Sequence, residues 1–394
     1  MKKIFDEIHG YIELTEQERE LVDSSLFQRL RRIKQTSLAY LVYPGAMHTR
    51  FSHSLGTFHL ANRLGLKLYK LGIINDEELE YLRIAALLHD IGQLPLSHCI
   101  EPYYIPKGIS NVIIRDVIIS STVIRDILSN YGFDYKKVLD IYNGESIISS
   151  LIDSDVDVDR MDYLIRDSKH TGVILGNIDL ERLLDTIDYQ GSKIVVLEKG
   201  LHTLENFYIS RLHMYQAVYY HKTILGYELF LRKIYRDLIE YCCPEFNNIN
   251  TIKEMINNQI FSYWDDEWVF SKLYQALSDN EAPEKLRLRI KNFLDRKGPK
   301  VVYNEISFNE KKSNLEDVIL KLQRYNIPED SILAFEERIH LIDKSKILVK
   351  SKAGVKSISD YASTLINMIP SYLIIRRVYV EHEFSKKARE VISY

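Results

Sequence analysis

Four side chains in the first half of this sequence could together hold a metal ion: His53, His89, Asp90 and Asp159. Two imidazoles and two carboxylates suit a divalent ion such as Mn²⁺, Fe²⁺, Zn²⁺ or Mg²⁺ that takes part in hydrolysis. Such an ion lowers the pKa of bound water and polarises a phosphoryl oxygen. The residue types therefore indicate metal-assisted hydrolysis at a phosphorus centre.

The pair His89–Asp90 follows a segment that the sequence predicts to be a buried helix. Apolar and helix-favouring residues fill positions 79–88, and Gly92 and Pro95 then stop the helix. Both side chains should therefore lie at its last turn. A charged carboxylate is costly in such a place unless it is paired, hydrogen-bonded or bound to a cation.

Two further predicted helices carry the remaining ligands. After the turn signal at Pro44, an amphipathic helix runs to about Leu71, and His53 lies on its apolar face because it precedes Leu60 by seven residues. From Asp159 onward the spacing is again helical. On that helix Arg160, Tyr163 and Asp167 share a face, since they are separated by three and four residues.

Composition places the chain among soluble globular proteins. It has 394 residues, of which 46% are hydrophobic and 27% charged, with a net charge of −3. That charge provides no general attraction to nucleic acid, so a polyanion site would have to be a local basic pocket. The three cysteines lack metal-type spacing, and the sequence shows no signal-peptide pattern and no long apolar run. We therefore expect a cytoplasmic protein without a membrane span.

The remaining elements are predicted more coarsely. We expect a short hairpin over residues 1–14, helices over 15–35 and 109–131, and a mainly helical segment from 194 to 240 after a short strand at 193–199. A boundary between 241 and 250 would separate a C-terminal region with helices and two strands, at 346–352 and 371–382.

Three motifs, RFSHSLG, HDIG and DVDRMDY, occur in that order and resemble the HD superfamily of metal-dependent phosphohydrolases. The chain is most similar to the SAM-and-HD-domain branch and its bacterial deoxynucleoside triphosphate triphosphohydrolase relatives, over roughly residues 2–222. The resemblance implies a mainly α fold. An HD-domain helical bundle would occupy residues 1–240, and a smaller α+β region, 241–394, would complete the fold and form an interface in a dimer or tetramer.

The resemblance also implies residue roles and a reaction. Water would attack the α-phosphorus of a deoxynucleoside triphosphate and release deoxynucleoside and triphosphate. A guanine nucleotide would act as activator. The implied metal ligands are His53, His89, Asp90 and Asp159; the implied catalytic residues are Arg50, Asp90 and His98; the implied substrate residues are Gln35, Arg50, Arg160, Tyr163, Asp167, Arg211, Tyr215 and Tyr219; and the implied activator residues are Asp23, Gln28 and Arg31.

The sequence departs from the family pattern where proton transfer is expected. The family motif reads His-Asp-x-Gly-His-Gly-Pro-x-Ser-His, but here Gln93 replaces the second His and Leu94 replaces the Gly. The His-Glu pair of the next helix is absent, because residues 103–131 contain no His, and Tyr215 stands where relatives often place a His. Loss of a general acid typically lowers a rate by about 100- to 10,000-fold. We therefore expect altered chemistry, an altered substrate, or a slow enzyme that depends on the metal and His98.

Two alternatives to a triphosphohydrolase follow from this departure. The same metal could serve a phosphodiesterase or nuclease, whose leaving group has different proton requirements. Otherwise the chain could be a nucleotide sensor with little activity, in which the Asp23, Gln28 and Arg31 pocket binds nucleotide and drives assembly.

Overall fold

The computed structural model describes residues 2–190, 193–309, 313–361 and 364–392. Over these residues the chain forms eighteen α-helices and nine strands, and most of the strands lie in the C-terminal half. The predicted fold class, mainly α with a smaller strand-containing C-terminal region, is confirmed.

The helices alternate with short turns along the whole chain. In chain order they are α1 Glu16–Asp23, α2 Ser25–Gln28, α3 Arg50–Lys70, α4 Asp76–Leu88, α5 Glu101–Tyr104, α6 Asn111–Ser121, α7 Val123–Asn130, α8 Tyr135–Tyr142, α9 Ser149–Ile152, α10 Val158–Thr171, α11 Leu180–Thr186, α12 Leu201–Met214, α13 Lys222–Cys242, α14 Ile249–Asn257, α15 Asp266–Ser278, α16 Glu284–Leu294, α17 Leu315–Arg324 and α18 Ser385–Ile392.

The strands form three small sheets. They are β1 Lys2–Asp6, β2 Gly10–Leu14, β3 Ile187–Gln190, β4 Lys193–Leu197, β5 Lys300–Ser307, β6 Ile332–His340, β7 Leu348–Ser351, β8 Gly354–Ser357 and β9 Tyr372–Val380. Strands β1 and β2 make the expected N-terminal hairpin. The other sheets have the orders β3-β4-β7-β8 and β5-β9-β6.

Two predicted helices are each divided by a hydroxyl side chain. The helix expected over 15–35 breaks at Ser24, whose hydroxyl accepts a hydrogen bond from the Phe27 amide at 3.3 Å and so caps α2. The helix expected over 109–131 breaks at Thr122, whose hydroxyl accepts from the Ile124 amide at 3.2 Å. Ser and Thr offer the backbone such bonds in place of helical ones, and the predictions overlooked that competition.

The sheet around β9 shows why two strands were missed. Strand β9 is central and almost wholly buried, and its apolar sequence predicted it correctly, as it did β4 and β7. Strands β5 and β6 flank it as edges, and both mix charged with apolar residues because one side of each remains exposed. A segment that mixes charged and apolar residues in this way lacks the regular alternation by which a strand is recognised from sequence.

One large hydrophobic core joins the two halves of the chain. It contains Ile12 of β2, Leu60 of α3, Ile234 of α13, Leu273 of α15 and Ile375 of β9, all almost fully buried. A smaller cluster packs the other end of β9 against α17 and α18. The division into two units near residue 241 stays a prediction.

A buried charge network fastens the hairpin to α10. The Arg166 guanidinium, which has no exposed surface, donates to the Asp162 carboxylate at 2.8 Å and to the Asp6 carboxylate at 2.9 Å. Burial of these charges is tolerated because each has opposite charges and hydrogen-bond partners around it.

We expect Arg166→Met to lower the free energy of unfolding by about 3–5 kcal/mol, because Asp6 and Asp162 would stay buried without their cation. The matched control is Arg63→Met, whose guanidinium pairs with the largely exposed Glu181 carboxylate at 2.6 Å and should contribute about 1 kcal/mol or less. Urea unfolding followed by circular dichroism measures both values. Equal losses in the two variants would contradict the role assigned to Arg166.

Candidate metal centre and substrate cavity

The N-terminal turn of α3 and the C-terminal end of α4 bring two imidazoles together, with their planes nearly perpendicular. The Nε2 atoms of His53 and His89 are 3.2 Å apart. The Asp90 Oδ2 atom lies 3.9 Å from the first and 3.6 Å from the second. These three side chains form a group whose ligand atoms all lie within 4.8 Å of one another, the arrangement that could hold a metal ion.

Helix α10 brings the fourth predicted ligand to the same place. The Asp159 Oδ1 atom is 2.8 Å from His53 Nε2 and 3.8 Å from His89 Nε2. Its side chain is 34% exposed, whereas His53 is fully buried, so Asp159 forms the open side of the group. The structure therefore brings together all four residues named from the sequence.

Hydrogen bonds at the far side of each ring determine which nitrogen faces the group. His53 Nδ1 is 2.8 Å from Asp162 Oδ2, and His89 Nδ1 is 2.7 Å from the Ala86 carbonyl oxygen. Those oxygens can only accept, so each Nδ1 carries a hydrogen, and in the neutral rings both Nε2 atoms present lone pairs. Both Nε2 atoms therefore point at each other beside the carboxylates of Asp90 and Asp159, where positive charge can be shared, and this donor set fits a divalent cation.

The charges around the group favour a cation as well. Burial lowers the pKa of His53, but hydrogen bonds to Asp159 and Asp162 outweigh burial and raise that pKa to about 10. Burial raises the pKa of Asp90, but the positive charge of Arg50 and the neighbouring imidazoles hold it well below its ordinary value. The carboxylates are thus ionised and attract positive charge to this point.

Gln93, which replaces the second His of the family motif, holds a metal-binding carboxylate in place. Its side-chain amide donates to Asp90 Oδ1 at 2.9 Å, while Arg50 donates to Asp90 Oδ2 at 2.8 Å. Arg50 also donates to the Ser97 hydroxyl at 3.1 Å. Sequence reasoning treated Gln93 only as a lost acid. Its separation of three residues from Asp90, within a tight turn, was the signal for this second role.

A cavity of about 490 Å³ opens beside Asp159. This volume suits a small organic ligand. Seven residues proposed from the sequence as catalytic or substrate residues line it: Gln35, Arg50, His98, Tyr163, Asp167, Tyr215 and Tyr219. Gln35 is also nine-tenths buried, and its Oε1 atom has no hydrogen-bond partner among the described residues.

A π-helical turn at Tyr215–Tyr219 shapes the tyrosine wall of this cavity. The sequence predicted α-helical spacing through these residues, but the Tyr220 amide donates to the Tyr215 carbonyl at 2.8 Å, five residues back. The extra residue allows the Tyr219 hydroxyl to donate to Asp167 Oδ2 at 2.7 Å. His48 Nε2 lies 2.6 Å from the other oxygen of Asp167. Turns of this kind are frequent at functional sites.

Two arginines expected at the phosphates lie elsewhere. The Arg160 guanidinium donates to Asp157 Oδ2 at 2.5 Å, one turn back on α10. Arg211 is 4% exposed and lies 5.6 Å from the centre of the Tyr215 ring. Both therefore stand next to residues of the cavity wall, and a direct contact with substrate would need their side chains to move.

His98 forms a His–carboxylate pair at the mouth of the cavity. Its Nδ1 atom is 3.0 Å from Glu101 Oε2, and its side chain is 68% exposed. Burial raises the pKa of Glu101, but the His98 hydrogen bond and charge outweigh burial and lower it. The turn before His98 places Leu96 and Ser97 at φ values of 57° and 50°, a conformation uncommon for these residue types. Sequence reasoning missed Glu101, although the three-residue spacing could have indicated it.

The three residues proposed for an activator site make contacts of their own on α1, α2 and the turn that follows. Arg31 donates through Nε to the Gln28 side-chain oxygen at 2.8 Å, and its guanidinium lies 3.5 Å from the centre of the Phe51 ring. Asp23 accepts from the Lys2 ammonium at 2.7 Å. The structure thus places Gln28 and Arg31 side by side and ties Asp23 to the hairpin.

Comparison with known families gives this arrangement its context. A family model described as HD domain matches residues 50–167, the segment that carries all four candidate ligands. A second model, described as HD associated region, matches residues 178–371. The chain belongs to the HD-domain family. That membership makes it part of a hydrolase superfamily that uses metal ions.

Similar proteins cover nearly all of this HD-domain chain. An uncharacterized protein of Methanocaldococcus jannaschii is 32% identical over 99% of this chain and 81% of its own length. The crystal structure of a hypothetical protein from Aquifex aeolicus shares 30% identity, covers 99% of each chain and has a TM-score of 0.83. A deoxynucleoside triphosphate triphosphohydrolase SAMHD1 homolog of Dictyostelium discoideum is 29% identical over 75% of this chain, and the match spans 59% of that protein.

Within the part of the chain that the structure describes, each helix is too short or too polar to cross a bilayer.

We expect Asp162→Asn to weaken Mn²⁺ binding by about 10- to 100-fold, because a carboxylate that orients a ligating imidazole raises its basicity. His53→Gln should weaken binding further, since it removes a ligand. Asp126→Asn, on the exposed face of α7, is the matched control and should bind like the wild type. Calorimetric titration of metal-free protein measures the affinities, and thermal melting checks that each variant folds. Unchanged affinity in both site variants would exclude this group as the metal centre.

Proposed function

We propose that this HD-domain protein is a metal-dependent nucleotide phosphohydrolase that converts deoxynucleoside triphosphates into deoxynucleoside and triphosphate. One observation carries the proposal. Four candidate metal ligands, His53, His89, Asp90 and Asp159, form one group, and Asp159 lines a cavity that is bordered by Arg50 and several tyrosines. The end of the cavity at Asp159 suits phosphoryl chemistry, and the tyrosine walls suit a sugar and a base.

The residues around this end have distinct proposed roles. His53, His89, Asp90 and Asp159 would hold a divalent ion, of unspecified identity among Mn, Fe, Mg and Zn, which when bound lowers the pKa of water and polarises a phosphoryl oxygen. Arg50 borders the cavity and is held by Asp90 and Ser97, so its guanidinium can meet a phosphate oxygen in a fixed orientation.

His98 is the proposed proton donor. Its imidazole borders the same cavity as Arg50, and its Nδ1 atom lies 3.0 Å from Glu101 Oε2. An imidazole is a common general acid and can protonate the oxygen that leaves as its bond to phosphorus breaks. Gln93 cannot do so, because an amide does not titrate near neutral pH and its hydrogen bond is already given to Asp90.

The proposed deoxynucleotide substrate is supported by further residues of the cavity wall and by the similarity of this chain to a named triphosphohydrolase. Gln35, Asp167 and Tyr219 line the cavity, and their oxygens and nitrogens suit the hydroxyl of a sugar. Tyr163 and Tyr215 would pack on the substrate, and Arg160 and Arg211 would add positive charge beside that wall. The SAMHD1 homolog of Dictyostelium discoideum, named as a triphosphohydrolase, supports this substrate class.

A metal-dependent phosphodiesterase or nuclease is the second candidate. Gln93, bonded to Asp90, leaves the inner end of the cavity without the titratable group that the family motif carries there. A reaction whose leaving group needs no proton from the position of Gln93 would suit such a site. Cleavage of labelled oligonucleotides that is lost in His89→Ala protein would favour this candidate over the first.

We also propose that a guanine nucleotide binds at Asp23, Gln28 and Arg31 and promotes assembly into a dimer or tetramer, with residues 241–394 contributing to the interface. The adjacent amide and guanidinium of Gln28 and Arg31 offer donors to a base or phosphate. Light scattering with and without GTP measures the mass. An unchanged mass and an unchanged rate would remove this part of the proposal.

The first expected outcome is the release of deoxynucleoside and intact triphosphate when the protein is incubated with Mn²⁺ and each of the four dNTPs. Ion-exchange chromatography separates these products from the mono- and diphosphates that other hydrolases release. Asp159→Ala, which removes one candidate ligand, should abolish release and so excludes a contaminant. No product from any dNTP would reject the proposed reaction.

The second expected outcome concerns the proton donor. His98→Ala should lower kcat by about 100- to 10,000-fold, the usual effect of losing a general acid. His202→Ala is the matched control, because His202 forms the same kind of pair, at 3.0 Å with Glu205, on the exposed surface. Glu101→Gln, which keeps the size of the partner of His98, should lower kcat much less than His98→Ala. A His98→Ala enzyme with normal kcat would show that the proton comes from another source.

A further inference from the structure

One part of the cavity wall is built by residues that no motif indicated. Tyr220 follows the π-helical turn, Glu228 and Arg232 come from α13, and Phe335 and Glu337 come from β6. We call this set the outer wall. It combines aromatic rings, two carboxyl groups and a guanidinium around the same space.

The aromatic members of the outer wall suit a flat ring. The Tyr220 and Tyr215 rings are stacked, with centres 5.9 Å apart and planes 15° apart, and the Tyr220 and Phe335 ring centres are 6.0 Å apart. Stacking of a nucleobase on aromatic side chains is a common source of affinity, and it is tolerant of base identity. The aromatic rings therefore indicate a base but do not select one.

The polar members are held by neighbours that leave binding capacity toward the cavity. Arg232 donates through Nε to the Cys99 carbonyl at 2.8 Å, which fixes its guanidinium, and the terminal nitrogens carry four further hydrogens. Glu337 accepts from the Tyr220 hydroxyl at 3.2 Å through one oxygen. Glu228 lies one helical turn before Arg232, and burial raises its pKa to about 7 although Arg232 opposes that rise. Burial of this kind is costly for a carboxyl group and indicates a role for it.

A carboxylate that accepts hydrogen bonds, next to a guanidinium that donates them, matches the edges of one base best. Guanine carries two adjacent donors, N1–H and N2–H₂, on one edge, and two adjacent acceptors, O6 and N7, on the next. A carboxylate can accept from the first pair, and an arginine fork can donate to the second. Thymine would instead turn carbonyl oxygens toward the carboxylates, and adenine and cytosine each place a ring acceptor beside their single amino group.

We propose that the outer wall selects guanine: Glu228 accepts from N1–H and N2–H₂, Arg232 donates to O6 and N7, and the base packs against Tyr220 and Phe335, whose ring planes are 42° apart. Glu337, at the rim, disfavours bases that present carbonyl oxygens there. This inference rests on the proposed function, because it assigns the base of the same nucleotide whose phosphates meet Arg50 and the metal group.

The test compares dGTP with dTTP in wild-type protein and in Glu228→Gln. Glutamine keeps the size of the side chain but turns an amide donor toward the donor edge of guanine. We expect wild-type kcat/KM to be about 10- to 100-fold higher for dGTP, and the substitution to remove most of that difference by lowering kcat/KM for dGTP and raising it for dTTP. Glu240→Gln is the matched control, because Glu240 lies on the exposed face of the same helix, three turns further on.

A second measurement keeps this test separate from the reaction itself. Calorimetric titration with deoxyguanosine and with thymidine needs neither phosphate nor turnover, so it reports on the base even if no dNTP is hydrolysed. Tighter binding of deoxyguanosine that is lost in Glu228→Gln and kept in Glu240→Gln would support guanine selection, with or without activity. Equal binding of the two nucleosides, or a preference unchanged in Glu228→Gln, would overturn it.

Discussion

The structure around the candidate metal centre depends on two imidazoles that are forced to face each other. The Nε2 atoms of His53 and His89 approach to 3.2 Å because the opposite nitrogen of each ring is committed to an oxygen, in one case that of Asp162 and in the other that of the Ala86 carbonyl. Neither ring can turn away without leaving a buried donor unpaired, which is costly. The fold therefore holds both Nε2 atoms at one point beside two carboxylates, and positive charge at that point, from a proton or a metal cation, stabilises the arrangement.

The close approach of the two imidazoles depends on a series of buried ion pairs that extends to the N-terminal hairpin. Asp162 has no exposed surface, so its charge is stable only because Arg166 and His9 contact it, at 2.8 Å and 2.7 Å. Arg166 in turn needs Asp6 of β1. The hairpin therefore contributes to the metal centre although it supplies no ligand, because it completes the neutralisation of a carboxylate that orients one.

The wall of the cavity comes from two parts of the chain. Arg50 of α3 and Asp159 of α10 lie within the segment that the HD-domain model matches. Helix α13 and strand β6 add the outer wall, which mixes aromatic and charged side chains and contacts the first part where Arg232 bonds to the Cys99 carbonyl. Residues outside the matched segment can therefore change the ligand while those inside it stay the same, since a function is determined by the site and not by the fold alone.

The amino-acid sequence by itself determined the local placement of the reactive groups. Gly92 and Pro95 follow the end of α4, whose last residue Leu88 directly precedes His89, and the leucine stripe of α3 turns His53 inward, because helix termination and amphipathic periodicity act over a few residues. The apolar run of β9 identified a buried strand for the same reason. These features needed no knowledge of distant contacts.

Tertiary structure alone decided which groups meet. Asp162 could be recognised as the partner of His53 only once α10 packed on α3, and Phe335 could be placed beside Tyr220 only once β6 paired with β9. The π-helical turn that brings Tyr219 to Asp167 likewise has no local periodic signal. Contacts between residues a hundred or more positions apart depend on the packing of whole elements, and neither spacing nor composition records that packing.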